Sequence, residues 1–408
     1  MFQTILGIAG FIFIAWVISE NRRAFSWKLV LAGILSQLGL ALLILKVPFF
    51  RLFFTLCNQA VDALQEASKA GSSFVFGFIG GGPLPYAETF PGASFSLAFQ
   101  ALPMVLLISA LSALLYHWRI LPWVVRIFSR ALEKLLGIGG AVGICAAATA
   151  FLGMLEAPLL IRPYLSRLSR GEIFIVMTCG MSTIAGTMMA LYASFLSGVI
   201  PDPAGHILTA SLISIPAAIM VAKTMIPDNS KTGQFDLAPE KIYESSMDAV
   251  VRGTKDGIEL LIGIIAMLVV LVGLVHLANQ ILGLFPGGFT LQKILGFFMA
   301  PIAWLMGIPW AEALKAGEIL GVKIVLNELL AYLELAKLPP EALSEKSRII
   351  MTYALCGFAN FGSLGILIGG LGAMAPERRS EIVNLGLRAI VSGTIASCMT
   401  ASVVNLIL

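Results

Sequence analysis

Two glutamates interrupt otherwise apolar segments of the chain, and their positions suit them to chemistry. Glu156 follows Gly153 and precedes Pro158, so a break in the chain followed by the first turn of a returning helix is expected there. Glu328 directly follows Asn327 in a second apolar segment. An adjacent amide and carboxylate can exchange several hydrogen bonds with vicinal hydroxyl groups, such as those of a sugar. Ionisable residues in apolar segments are costly and usually mark a site or a pathway.

Each of these residues also has a structural interpretation. A neighbouring lysine or arginine could neutralise Glu156, and Asn327 could cap a helix. Lys323 could form an ion pair with Glu328, although a separation of five residues suits a helix less well than four. These alternatives stay open at the level of sequence.

A third group of polar residues follows the second glutamate. Asn360 and Ser363 are three residues apart, which would place them on one face of a helix with Phe358 nearby. Ser363 could instead bond to its own backbone. The group therefore adds a candidate amide and hydroxyl to the carboxylate of Glu328.

Composition identifies the class of protein. Of 408 residues, 58% are hydrophobic and only 12% are charged, against about 25% charged in an ordinary soluble protein. Most of the charge-free runs are long enough to cross a bilayer as helices. The five cysteines have no metal-ligand spacing, and the net charge of +4 does not indicate a nucleic-acid partner. The sequence therefore predicts an all-α polytopic membrane protein.

The distribution of basic residues predicts the topology. If the loop 20–28 is cytoplasmic, 17 of the 27 lysines and arginines lie inside and the amino terminus faces out. This assignment of loops to the two sides is consistent only if two apolar segments do not cross the membrane. It predicts eight crossing helices and two re-entrant hairpins of opposite orientation, at about 135–161 and about 292–337. Residues 48–70 and 120–134 are expected to form interfacial helices.

An internal repeat supports this organisation. The segment 177–186 resembles the segment 354–363, since each has Cys-Gly, an apolar residue, two small or polar residues, an apolar residue and then small residues. Each segment follows a hairpin with one glutamate, an arrangement by which secondary transporters build a site near the membrane midplane. The predicted domains are N-terminal helices (1–94), a first repeat (95–226), a cytoplasmic loop (227–245) and a second repeat (246–408).

Three functional classes are compatible with two buried carboxylates. A membrane-embedded enzyme would use Glu156 and Glu328 as an acid and base pair. A channel would need rings of polar groups, whereas the hairpins present theirs singly. The chain has no HExxH and no GxxxxGK[ST] motif. The residues alone favour an inverted-repeat secondary transporter for a small hydroxylated solute, without a cofactor or a metal other than a coupling ion.

The chain resembles the concentrative nucleoside transporter family from about residue 95 to its end. The motifs that carry the resemblance are Gly153 with Glu156-Ala157-Pro158, Gly321-x-Lys323-x-x-x-Asn327-Glu328-x-x-Ala331-Tyr332, Cys356-Gly357-Phe358-Ala359-Asn360-Phe361-x-Ser363 and Gly393-Thr394-x-Ala396-Ser397. The resemblance implies a homotrimer in a bacterial inner membrane. It further implies import of nucleosides by an elevator-like motion that a sodium or proton gradient drives.

The resemblance also implies roles for individual residues. Glu328, Asn360 and Ser363 would hold the ribose with Phe358 beside them, and Glu156 would lie on the nucleobase side. The expected substrate-binding set is Glu156, Glu328, Phe358, Asn360, Ser363, Asn327, Met154, Leu155 and Met188. The expected cation-binding set is Thr149, Leu152, Thr183 and Ile184.

Three departures from the family pattern bear on specificity and coupling. Met154 and Leu155 replace the usual amide and hydroxyl of Gly-Gln-Ser/Thr-Glu, so the family's base preference does not carry over. Thr149 replaces the asparagine of sodium-coupled members and is a weaker ligand for a hard cation. Proton coupling, carried by Glu156 or Glu328, is therefore at least as well supported as sodium coupling. Gly362 stands where a second serine is common, which would loosen the ribose contacts.

Overall fold

The computed structural model describes residues 2–88, 93–228, 243–285 and 288–408, without the side chains of 48–54 and 163. Within these ranges the chain forms helices and no strands. Most of the predicted cytoplasmic loop 227–245 lies outside the described residues, because only its ends, up to 228 and from 243, are described.

Eighteen α-helices follow one another in the described residues. The first nine are α1 (Phe2–Val17), α2 (Trp27–Lys46), α3 (Pro48–Phe76), α4 (Met104–His117), α5 (Ile120–Leu136), α6 (Gly140–Ala148), α7 (Glu156–Leu159), α8 (Arg162–Leu165) and α9 (Arg170–Ser182). The others are α10 (Gly186–Leu196), α11 (Pro203–Met225), α12 (Ser246–Gly283), α13 (Leu291–Leu305), α14 (Trp310–Val325), α15 (Glu328–Lys337), α16 (Glu345–Leu355), α17 (Phe361–Met374) and α18 (Arg379–Ile407).

The helices have the lengths and compositions of membrane spans. Six described helical segments are long and apolar enough to cross a bilayer, and α1 and α17 are shorter apolar helices. The most apolar stretch of α11 is 94% buried, whereas that of α12 is 0% buried. Helices α9, α11 and α18 therefore form the centre of the molecule, and α12 lies at its edge against α4. The predicted all-α polytopic membrane fold is confirmed.

Hydrogen bonds between distant segments define the two ends of the helix bundle. At one end, Asn405 near the carboxyl terminus donates hydrogen bonds to Thr4 Oγ1 at 2.9 Å and to the carbonyl of Met306 at 3.0 Å. At the other end, the Glu20 backbone N–H donates to the carbonyl of Met225 at 2.9 Å. Arg170 donates to the Glu20 carboxylate at 2.8 Å. The termini thus share one face, and the loop after α1 shares the other with the start of α9.

The two predicted hairpins differ in construction. In the first, α6 ends at Ala148, an irregular tip follows, and α7 begins at Glu156. The stretch 292–337, predicted as a single hairpin, is three helices. Helices α13 and α14 meet at 120°, because Gly307 has φ +96° and reverses the chain. The tip that carries Asn327 is therefore the turn between α14 and α15, with α13 packed along α14.

Each hairpin is followed by a helix that is broken in its middle. Helices α9 and α10 are separated by residues 183–185, and α16 and α17 by residues 356–360. The two breaks approach each other closely, because a Cβ atom on Gly357 would lie 2.9 Å from the carbonyl oxygen of Met181. The order of hairpin and broken helix is thus the same in both predicted repeats.

The ion pairs of Glu20 predict a pH-dependent contribution to stability. Hydrogen bonding and charge from Arg170, and the contact with Arg388, lower the pKa of the Glu20 carboxyl below its ordinary value of 4.5. A lowered pKa stabilises the fold fully above the ordinary value, and the contribution disappears as pH falls through the lowered one. We expect Glu20→Gln to lower the Tm at pH 7 by about 1 to 3 °C.

The measurement is the Tm of the purified protein between pH 7 and pH 4, with Glu341→Gln as the control at an exposed site. The difference between wild type and Glu20→Gln should shrink at the acid end. A difference that stays constant or grows on acidification would contradict this assignment.

Candidate functional site

A cavity of about 200 Å³ lies between the tips of the two hairpins, the breaks in the helices that follow them, and α12. Every residue of the expected substrate-binding set lines it. These residues are Met154, Leu155, Glu156, Met188, Asn327, Glu328, Phe358, Asn360 and Ser363. The fold therefore brings together positions that are up to 209 residues apart in the chain, from Met154 to Ser363.

Glu328 is a buried polar group of the cavity with two side-chain hydrogen bonds. Its side chain is 5% exposed. One carboxylate oxygen accepts a hydrogen bond from the Tyr192 hydroxyl at 2.7 Å, and the other accepts one from Asn360 Nδ2 at 2.8 Å. Since each carboxylate oxygen can accept two hydrogen bonds, Glu328 retains capacity for donors from a ligand. The arrangement suits a ligand that presents hydroxyl groups.

Asn360 does not lie on a helix face, as the sequence spacing had suggested. Its backbone is extended, and its Oδ1 accepts the backbone N–H of Ser363 at 2.7 Å as the N-cap of α17. Because its Nδ2 donates to Glu328, both ends of the amide have a protein partner. Asn360 therefore fixes the carboxylate and the start of α17. Phe358, 8% exposed, lies in the break before it.

The structure answers two questions about the second hairpin, whether Asn327 caps a helix and whether Lys323 forms an ion pair with Glu328. Asn327 is the N-cap of α15, with its Oδ1 accepting the N–H of Leu330 at 2.9 Å. Its side chain also borders the cavity, so capping and ligand contact are compatible. Lys323 forms no ion pair with Glu328; its ammonium group donates to the carbonyl of Ala354 at 2.7 Å instead.

The opposite end of the cavity is apolar apart from Glu156 and Thr187. Glu156 is the first residue of α7 and is exposed to the cavity, in contrast to buried Glu328. Its carboxylate folds over Gly153, so a Cβ atom there would require the Glu156 side chain to move. Met154 and Met188 supply the surrounding apolar surface. This end can bury a flat or apolar group and offer it a carboxylate.

Several residues that line the cavity or bond to its lining were not foreseen from the sequence. Tyr192 reaches Glu328 from α10, and its ring stacks on Tyr332 at 4.7 Å between centroids. Thr187 contributes a hydroxyl beside Met188. Helix α12 contributes an apolar wall made of Leu260, Gly263, Ile264, Met267 and Leu271. A tyrosine within an apolar helix is a usable signal, but the stretch 260–275 of α12 is apolar throughout and marks no particular face.

The expected cation-binding residues belong to two segments that contact each other, the first hairpin and the break after α9. The backbone N–H of Gly186 donates to the carbonyl of Phe151 at 3.0 Å, which joins the two segments. Thr149 and Thr183 are each 1% exposed. Their hydroxyls donate to helix carbonyls at 2.7 and 2.8 Å, which leaves lone pairs on the hydroxyl oxygens. Hydroxyl and carbonyl oxygens fit a hard monovalent cation.

No group of three or more His, Cys, Asp and Glu residues that could hold a transition metal occurs in the described ranges.

Three family models match consecutive parts of the chain. The model described as "Na+ dependent nucleoside transporter N-terminus" matches residues 6–79, and its C-terminal counterpart matches residues 206–405. A model described as "Nucleoside recognition" matches residues 98–198, between the other two.

Curated relatives extend over nearly the whole chain. The "Nucleoside permease NupC" of Helicobacter pylori is 36% identical over 99% of this chain and 97% of its own length. The "Putative nucleoside permease NupX" of Escherichia coli is 33% identical over 98% of this chain and 97% of its own length.

Solved structures of one transporter match the fold in two states. CNTnw in an inward-facing substrate-bound state has a TM-score of 0.91 and 34% identity, covering 99% of this chain and 97% of CNTnw. A doubly substituted CNTnw in an outward-facing state has a TM-score of 0.90, with the same identity and coverage. The chain therefore belongs to the concentrative nucleoside transporter family, whose members are membrane permeases and not enzymes.

Proposed function

We propose that this protein is a secondary active importer of nucleosides that a proton or sodium gradient drives. The observation that carries the proposal is the Glu328 carboxylate, held between Tyr192 at 2.7 Å and Asn360 at 2.8 Å at the wall of a cavity between two hairpins. A carboxylate fixed in this way accepts hydrogen bonds from the vicinal hydroxyls of a ribose.

The two ends of the cavity define how a nucleoside lies in it. The ribose binds at the polar end to Glu328, Asn327 and Ser363, with the ring of Phe358 beside it. Asn360 contributes by orienting Glu328. The nucleobase lies at the apolar end among Met154, Leu155 and Met188 and faces the Glu156 carboxylate. The hydroxyl groups of the ribose thereby contact polar side chains, and the planar base contacts the apolar surface.

The coupling ion has two candidate carriers in this chain. The first is a sodium ion at Thr149 and Thr183, completed by the backbone carbonyls of Leu152 and Ile184. The second is a proton on Glu156 or Glu328. The replacement of asparagine by Thr149 removes an amide oxygen from the cation site, whereas the carboxylates remain in place. The matched family model is described as "Na+ dependent", so both ions enter the test.

Transport proceeds by an elevator-type motion in a homotrimer of the bacterial inner membrane. The two hairpins and their broken helices surround the cavity and move together past α4 and α12. This assignment is supported by the separate packing of α12 on α4 at the edge of the molecule. It is also supported by the inward-facing, outward-facing and intermediate states in which CNTnw has been solved. The bacterial relatives are permeases of similar length.

The proposal is tested by uptake of labelled nucleosides into proteoliposomes that contain the purified protein. A sodium gradient and a proton gradient are imposed separately, and ionophores that collapse each gradient are the controls. We expect uphill uptake of at least one nucleoside under one gradient. Folded protein that takes up no nucleoside under either gradient would contradict the proposal and redirect the search to another small hydroxylated solute.

Substitution of Glu328 and of its hydrogen-bond donor should have graded effects. Glu328→Gln should abolish uptake because the second acceptor oxygen becomes a donor. Tyr192→Phe removes one hydrogen bond to the carboxylate and should weaken substrate binding by about tenfold. Tyr86→Phe, at an exposed tyrosine, is the control.

The measurements are equilibrium binding and uptake of a labelled nucleoside, on variants shown to be monodisperse after purification. Wild-type uptake by Glu328→Gln would disprove the assignment of the ribose to this carboxylate.

Sodium dependence should respond to the residue at position 149. Thr149→Asn adds an amide oxygen to the proposed cation site, and amide oxygens are good ligands for hard cations. We expect this variant to need about tenfold less sodium for half-maximal uptake than wild type, or to acquire sodium dependence if wild type has none. Thr149→Ser keeps the hydroxyl and is the matched control. Equal sodium dependence in all three proteins would argue against a cation at this position.

Base preference should respond to the apolar pair beside Glu156. The double variant Met154→Gln with Leu155→Thr introduces an amide and a hydroxyl, so the ranking of nucleosides in competition assays should change. The same double variant should keep its requirement for the ribose hydroxyls, which competition by 2′-deoxynucleosides measures. An unchanged ranking of bases would mean that these two side chains do not face the base.

A further inference from the structure

Lys323 is a fully buried cation in the wall of the second hairpin. It lies in the last turn of α14, two residues before the helix ends at Val325, and its side chain is 1% exposed. The described residues contain no carboxylate within ion-pairing distance of it. A buried charge without an ion pair is costly, so an apolar side chain would serve better if the position needed only packing.

The Lys323 ammonium group instead binds the end of the broken helix α16. It donates to the carbonyl of Ala354 at 2.7 Å and to Ser397 Oγ of α18 at 3.1 Å. Ser397 donates its own proton to the carbonyl of Thr394 at 3.1 Å, so its oxygen is available as an acceptor for Lys323.

The last carbonyls of a helix have no partner within the helix, and α16 ends inside the protein at Leu355. Tyr332 of the same hairpin supplies one of the missing donors, to the carbonyl of Thr352 at 2.8 Å. Lys323 supplies another, and its positive charge also matches the negative end of the helix dipole. The second hairpin thus supplies hydrogen-bond donors to the last carbonyl groups of α16, the helix that precedes the cavity-lining residues Phe358 and Asn360.

We propose that Lys323 is a positioning residue for transport: its ammonium caps the broken helix α16 and, through segment 356–360, holds Phe358 and Asn360 in place for substrate. The inference rests on the proposed function, since substrate here means the transported nucleoside. It assigns to Lys323 a cationic role that does not involve neutralising Glu328.

Only a few residues separate the carbonyl that Lys323 binds from Phe358 and Asn360. Residues 356–360 lie between the ends of α16 and α17 and belong to neither helix, so their position depends on what they contact. Lys323 holds the chain just before this segment, and the bond of 2.8 Å between Asn360 and Glu328 holds it at the other end. Both anchors belong to the second hairpin. Loss of Lys323 should release one end and let Asn360 move away from the carboxylate.

The proposal is tested by chemical rescue: the Lys323 side chain is truncated, and a small compound that matches the deleted atoms is added. Lys323→Ala deletes three methylene groups and the ammonium, which n-propylammonium reproduces, while 1-propanol has the same length without the charge. We expect Lys323→Ala to bind a labelled nucleoside at least about tenfold more weakly than wild type. Propylammonium at millimolar concentration should restore binding at least about threefold, and propanol should not.

Three comparisons separate this role from packing. Lys323→Met, which fills the space without charge, should bind as weakly as Lys323→Ala and should not respond to propylammonium. Lys337→Ala, at the exposed end of α15, should bind like wild type. If Lys323→Ala does not purify as folded protein, Lys323→Gln keeps a donor without the charge and should bind about threefold to tenfold more weakly than wild type.

The inference is overturned if Lys323→Met binds like wild type, if propanol and propylammonium restore Lys323→Ala equally, or if neither restores it. If Lys323→Gln has to be used, binding equal to that of wild type overturns the inference as well. Failure of the proposed function has a different signature, because wild type itself would then bind and take up no nucleoside.

Discussion

The hydrogen-bonded carboxylate of Glu328 is the interaction on which the rest of the site depends. Its two donors come from the two halves of the molecule, Tyr192 from the broken helix of the first repeat and Asn360 from that of the second. One side chain therefore joins a hairpin and both broken helices. A buried carboxylate that lost either donor would be left incompletely bonded in an apolar environment, which is strongly unfavourable. The need to satisfy it aligns these segments around the cavity.

Broken helices within a membrane protein expose backbone groups that must find partners. In the second repeat polar side chains at the breaks provide them. Asn327 and Asn360 cap the helices α15 and α17, and Lys323 and Tyr332 donate to carbonyls at the end of α16. The same side chains border the cavity or lie next to those that do. The elements that stabilise the breaks are thus also the elements that form the binding site.

Much of this organisation could be predicted from the sequence because it depends on features that leave a local signal. Charge-free runs predict the membrane fold, and isolated glutamates beside glycine or asparagine predict the two hairpin tips. All nine residues expected to bind substrate line one cavity. The turn at Gly307 was missed because the apolar pattern continues across it, and its φ of +96° is a property of the backbone.

The contacts between distant segments could not be predicted from the sequence. Spacing places Asn360 and Ser363 on one helix face, but the helix begins only at Phe361, and Asn360 acts as its cap. The partnership of Tyr192 with Glu328 spans 136 residues and has no pattern in the chain. The wall formed by α12 could not be predicted either, because its stretch 260–275 is apolar on every side and no pattern there distinguishes the face that lines the cavity.

The most direct test of the account is a structure of the protein with a nucleoside bound, determined by cryo-electron microscopy in lipid. The account predicts that the ribose hydroxyls lie within about 3.2 Å of the Glu328 carboxylate, with the base between Met154, Leu155 and Met188. A nucleoside bound in the reverse orientation, or bound away from Glu328, would contradict it.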